Sequence, residues 1–215
     1  MKNFFIRFFS ILYLILLINC VGMNGVVIPL SHAEIPKSKQ KMSGKLSVER
    51  PATDSRPDRE NIGKATFSLF AIPVGDISTT SPVGEQMADL IFEELTSLGY
   101  QVDKSQNDKS DKSKNDGRIK LKIIINELWF ENYNWFYPIV PTWGDIRISV
   151  SLENTKGKKI FEKSYIGEGK SYCLPAECGF SDAIKEAMTQ IMQDFTSDFS
   201  SQKVQASITS GEPAP

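Results

Sequence analysis

The chain has 215 residues, with 25 Lys and Arg against 26 Asp and Glu, a formal net charge of −1 and 40% hydrophobic residues. No basic excess points to a nucleic-acid partner, and the mix of apolar and charged residues excludes a multi-span membrane protein. The ends do not read as globular, which leaves room for one domain of ordinary size with its own core.

The chain opens with a short basic segment, "MKNFFIR", and then an apolar run of about a dozen residues, "FFSILYLILLI". That run is too short for a comfortable membrane span and the right size for the apolar part of an export signal. Two ends of the signal are open. Cys20 in "LINC" fits a lipobox, in which the cysteine is lipidated and becomes the mature N-terminus, although Asn19 departs from the small residue usual there. Ser31 and Ala33 in "PLSHA" allow cleavage after Ala33 instead. The first reading, with the signal over 1–20, is preferred over an end at 33.

Residues 21–64 read as a disordered tether, rich in charge and proline and poor in large apolar side chains. The domain is expected over 65–199. "ATFSLFAIPV" reads as one mostly buried strand. A helix follows, with Ser81 as cap, Pro82 at its first position and Gly99 as its stop. Met87, Leu90, Ile91, Leu95 and Leu98 form its apolar stripe. "YQV" suggests a short strand, and 104–117, which has no apolar residue, a flexible insertion. Ile119, Leu121, Ile123 and Ile125 alternate with charged residues as in a strand covered on one face, and Ile146, Ile148, Val150 and Leu152 repeat the pattern. "IFEKSYIG" is a further strand. A second helix, capped by Ser181 or Asp182, runs to Phe199 with Ile184, Ala187, Met188, Ile191, Met192 and Phe195 inward. Residues 200–215 read as a disordered tail. The fold class expected is α+β, a single mainly antiparallel sheet with two helices on one face in the order β-α-β-β-β-β-α.

Chemistry is sparse. The single histidine, His32, lies outside the expected domain, which removes the usual general base and the usual zinc ligand. No metal site and no cofactor are expected. "GEGKS" at 167–171 resembles a phosphate loop but has Ser164 where the motif needs glycine, and it reads instead as a strand end and turn. Glu127 and Asp145 are the one carboxylate pair worth weighing for acid–base hydrolysis. With Cys20 lipidated or removed, Cys173 and Cys178 remain, an even pair suited to a local disulfide in an oxidising compartment. The aromatic segment "WFENYNWFYPIVPTW" holds all three tryptophans. Its ends, Trp129, Phe130 and Trp143, suit strands. Its middle, Tyr133, Trp135, Phe136 and Tyr137, falls at an expected hairpin tip and is the candidate partner-binding surface, for a protein, a glycan or a membrane interface.

The order of "LINC", "ATFSLFAIPVGD", "VGEQMADLIFEELTSLGYQV", "IKLKIIINELWF", "DIRISVSLENTKGKKIFEKSY" and "FSDAIKEAMTQIMQDF" resembles the YajG-type family of bacterial envelope lipoproteins over about residues 65–200. The resemblance implies an envelope protein without enzyme activity and carries over Cys20 alone as a site residue. The expected function is a non-enzymatic, lipid-anchored binding or accessory module of envelope assembly or maintenance, facing the periplasm at the outer membrane. Two alternatives stand beside it: a soluble secreted or periplasmic protein that binds an envelope or host partner, and a carboxylate hydrolase of envelope polymer.

Overall fold

Alternation of apolar and charged residues from Ile119 onward builds the strand around which the rest assembles. In a computed structural model, the residues described are 25–36, 41–67, 72–106, 118–134, 140–173 and 176–213. Among them are nine strands: β1 (Val26–Val27), β2 (Lys45–Arg50), β3 (Thr53–Asp54), β4 (Asn61–Phe67), β5 (Ile72–Ser78), β6 (Gln101–Gln106), β7 (Ile119–Asn134), β8 (Val140–Glu153) and β9 (Lys159–Cys173). The three helices are α1 (Val83–Leu98), α2 (Ala176–Phe199) and α3 (Gln202–Ser210). The class is α+β, with an open sheet that is mixed and has more strands than expected.

β7 carries the topology. One of its edges pairs antiparallel with β8 along nearly its whole length, and β8 pairs antiparallel with β9. Its other edge is shared in succession by β2, β3 and β4, all parallel to it. β2 continues to β6, and β4 continues to β5 and β1. The inward faces behave as the alternation predicts: Leu121, Ile125, Ile146, Ile148, Val150 and Leu152 are all fully buried. So are the helix stripes, with Met87, Ile91 and Leu95 on α1 and Ile184 through Phe195 on α2. Gly99 ends α1 at φ 102°, a left-handed conformation that glycine adopts without steric cost. Pro82, not Ser81, holds the cap position, and no side-chain cap bond is made there.

Four expectations are corrected. Residues 25–36 and 41–64 are woven into the domain. Ile28, Leu30, Ile35, Leu46, Val48 and Ile62 are buried. The Ile28 amide donates to Ser78 O (2.9 Å), that of Leu30 to Gln86 Oε1 (2.8 Å) and that of Ala33 to Thr189 Oγ1 (2.9 Å). The tether reading averaged composition, whereas in "KLSVER" only Leu46 and Val48 face the core, and two inward side chains suffice for a strand whose other face is wet. Second, "ATFSLFAIPV" is not one strand. β4 ends at Phe67 and β5 begins at Ile72, antiparallel to it. Third, β6 extends to Gln106, into the expected insertion, because it pairs in parallel with β2; residues 107–117 lie outside the described residues. Fourth, the expected tail contains α3. Ser201 caps it by accepting from the Val204 amide, and Val204 and Ile208 are buried. α2 also starts earlier than Ser181, at Ala176.

The aromatic side of the core joins α2, α3 and β9. Phe195 stacks on Phe199 at 4.2 Å, and Tyr165 meets Phe195 edge-on at 5.8 Å. The Tyr100 hydroxyl donates to Phe199 O at 2.7 Å and accepts from Gln205 Nε2 of α3. Burial pushes its pKa up to about 12, so it stays a donor at any ordinary pH.

Candidate functional site

Pairing registers gather the last residues of β4, β7 and β9 and the first of β5 and β8 at one end of the sheet. Phe67 of β4 lies opposite Ile72 of β5 and beside Asn134 of β7, so these three strand ends are neighbours. Val140 of β8 lies opposite Cys173, the last residue of β9, from which the chain passes to α2. We call this the turn end. Tyr133 occupies the penultimate position of β7, opposite Thr66. Trp135, Phe136 and Tyr137 lie outside the described residues, as does Cys20. Cys173 and Cys178 belong to β9 and α2 respectively, and their side chains lie outside what is described.

The inward row beneath the turn end is polar. Asn132 and Thr142, on facing positions of β7 and β8, are 2% and 1% exposed. Asn132 Oδ1 accepts from the Thr66 amide at 3.1 Å, and Thr66 Oγ1 donates back to Asn132 O, which locks β4 to β7. Thr142 Oγ1 has no hydrogen-bond partner among the described residues.

The outward face nearby mixes aromatics with charge. Trp143 is 41% exposed and Tyr172 is 75% exposed. Trp129 is half-buried; its Nε1 donates to Glu131 Oε1 at 2.9 Å, and the Lys64 ammonium sits 5.8 Å from its ring. Phe130, one residue on, points the other way and is fully buried. The strand reading of Trp129, Phe130 and Trp143 therefore holds, but only Phe130 is core. Tyr172 escaped the sequence reading, although it shares the phase of Glu168 and Lys170 on β9 and faces outward with them.

The carboxylate pair is also brought together. Asp145 lies opposite Trp129 and Glu127 opposite Arg147, so the two acids are diagonal neighbours on one face. Burial and the Glu127 charge push the Asp145 carboxyl above its ordinary range, and Arg147 opposes that shift. Arg147 also pairs with Glu127 at 3.7 Å. Both acids stand on the same side of the sheet and share one arginine.

"GEGKS" is strand, not loop. A Cβ on Gly167 or Gly169 would fall 2.0 or 1.8 Å from the carbonyl oxygens of Ala187 and Ala183, so these glycines let α2 lie directly on β9. Gln190 then bonds both the amide and the carbonyl of Glu168, at 3.0 and 2.8 Å, and Glu186 accepts from the Lys170 amide at 2.7 Å. These side chains occupy edge groups that would otherwise invite another strand. Among the described residues, no group of three or more His, Cys, Asp or Glu is placed to hold a metal ion. No helix among them is long and apolar enough to cross a membrane.

No family model matches the chain, and no curated protein matches it. Solved structures do. The crystal structure of protein XCC0632 from Xanthomonas campestris, described under the family model DUF330, has a TM-score of 0.52 at 13% identity, covering 86% of this chain and 95% of that one. A crystal structure of an uncharacterized protein gives 0.38 at 12% identity, covering 80% and 94%. The first likeness shows a fold shared with that protein.

Proposed function

We propose that this protein is a non-enzymatic, lipid-anchored binding or accessory module of the bacterial envelope, held at the periplasmic face of the outer membrane through Cys20. The observation that carries this reading is the ordered N-terminal segment. Cleavage after Ala33 would remove β1 together with buried Ile28 and Leu30, and with them the bonds to Ser78 and Gln86. A signal ending at Cys20 leaves every one of these residues in the mature chain. An acylated cysteine with several chains gives stable membrane attachment where one chain would be marginal. The soluble alternative depends on the Ala33 end and is disfavoured for the same reason. The hydrolase alternative depends on Glu127 and Asp145, whose shared face and shared arginine suit a structural cluster better.

The contact surface in this reading is the turn end, with Tyr133, Trp135, Phe136 and Tyr137 from the hairpin and exposed Trp143 and Tyr172 beside it. Cys173 and Cys178, oxidised to a disulfide, would fix the passage from β9 into α2. The test is membrane fractionation of the parent chain and of Cys20→Ala. Release of the variant into the soluble periplasmic fraction is expected; unchanged membrane retention contradicts the anchor.

A further inference from the structure

Three aromatic side chains stand in a line on the outward face of the sheet. Trp129 of β7, Trp143 of β8 and Tyr172 of β9 alternate with the buried row that holds Phe130, Ile146 and Tyr165, so all three point away from the core. Trp143 lies opposite Glu131, two residues from Trp129, and opposite Lys170, two residues from Tyr172. Each ring is therefore the diagonal neighbour of the next, about 7–8 Å away between backbones, and the line spans about 15 Å across three strands. Tyr172 is 75% exposed and Trp143 41%. Trp129 is half-buried, held by its bond to Glu131 and by Lys64 over its ring.

The rings are set among charges of both signs. Lys64, Glu131, Trp143 and Lys170 form one row across β4, β7, β8 and β9. The next outward row is Trp129, Asp145 and Glu168, and the one after it Glu127, Arg147 and Ile166. Four carboxylates thus stand among three cations, and Arg147 is already spent on Glu127. A ligand with a net charge of either sign meets like charges about as often as opposite ones. A bilayer would have to bury ammonium and carboxylate groups level with the tryptophans, which is costly. The rows suit an uncharged ligand that has apolar faces and many hydroxyls, which is the chemistry of a sugar ring. Its faces pack on the aromatics, and its hydroxyls bond acceptors at Asp145 and Glu168 and a donor at Lys170. Asp145 and Glu168 lie directly opposite each other, an arrangement that is destabilising between like charges; hydroxyl donors placed between them relieve it. Beside Glu168 and Lys170 the face meets a groove of about 280 Å3 between β9 and α2, lined also by Ile166, Glu186 and Gln190.

We infer that the line Trp129–Trp143–Tyr172 is a platform for an extended glycan chain of uncharged hexose units, whose rings stack on the aromatics while their hydroxyls bond Asp145, Glu168 and Lys170. The inference rests on the binding-module reading and deepens it by naming the class of partner. No part of the platform involves Cys20, so it does not depend on the anchor.

The test is calorimetric titration of the full-length protein in detergent with the hexasaccharide of N-acetylglucosamine, cellohexaose and maltohexaose, and with the matching disaccharides. At least one hexasaccharide is expected to bind saturably, with its disaccharide about tenfold weaker because it cannot reach from ring to ring. Trp143→Ala and Tyr172→Ala should each weaken the hexasaccharide by about fivefold to tenfold. Ile124→Ala, an exposed position on the same face but off the line, should bind as the parent does. Should Trp143→Ala unfold the chain, Tyr172→Ala decides, since a 75% exposed side chain can be removed without loss of the fold. Failure of all three hexasaccharides to bind overturns the inference, and so does parent-like affinity in Tyr172→Ala or a disaccharide that binds as tightly as its hexasaccharide. Any of these results leaves the anchor standing, whereas membrane retention of Cys20→Ala removes the anchor and leaves the platform standing.

Discussion

At the scale of single residues, two carboxylates give opposite pH signatures. Asp145 is desolvated and faces the Glu127 charge, so its folded pKa is raised. Its contribution to stability is complete below the ordinary carboxylate range and is lost as pH rises through the raised value. Asp145→Asn should therefore gain on the parent as pH goes from about 3 to about 7, read as a growing difference between their urea midpoints. A constant difference would mean that Asp145 is not desolvated. Asp58 is the contrary case. It accepts from the backbone and side chain of Asn61 and from the Glu60 amide, which lowers its pKa. What it contributes is present at neutral pH and lost on acidification below its ordinary value. Gly169 makes a steric prediction: Gly169→Ala places a methyl against Ala183 O and should cost about 1–3 kcal/mol, visible as a lower thermal midpoint. An unchanged midpoint would mean that α2 does not lie directly on β9. Such contacts explain what sequence cannot show at this scale. "GEGKS" reads as a turn because glycines usually mark turns, yet here they mark the approach of a helix, which is a long-range fact.

At the scale of elements, alternation and helical stripes were legible wherever burial is one-sided and sustained. β7, β8, α1 and α2 were read with the correct inward residues because each repeats its pattern over several turns or pleats. The elements missed were those whose burial depends on a partner. β2 has two inward apolar side chains and becomes a strand only between β7 and β6. β1 is two residues long, and α3 has a weak stripe held by Val204, Ile208 and the Gln205–Tyr100 bond. Two predictions follow at this scale. Ile28→Ala with Leu30→Ala should each lower stability by about 2–5 kcal/mol, measured by urea denaturation; a neutral result would restore the tether. Truncation after Ser200 removes Val204 and Ile208 from the core and the Gln205 bond to Tyr100, and should lower the thermal midpoint by several degrees, as loss of one or two buried side chains does.

At the scale of the whole molecule, the sheet is asymmetric from end to end, and the sequence concealed it. The ends of β4, β7 and β9 are far apart along the chain and meet only because β4 is parallel to β7 while β8 and β9 return antiparallel. The aromatic segment is legible in the sequence as a candidate surface; that the ends of β4 and β9 come to the same end of the sheet as that of β7 is not. The structural likeness to a DUF330 protein extends over 86% of the chain. The central claim is that the fold begins where a lipid anchor ends, so that anchor and domain form one unit. The most direct measurement is the intact mass of the mature protein recovered from cells with its membranes. The account predicts a chain beginning at Cys20 and carrying the added mass of its acyl groups. An unmodified chain beginning at Glu34 would contradict it.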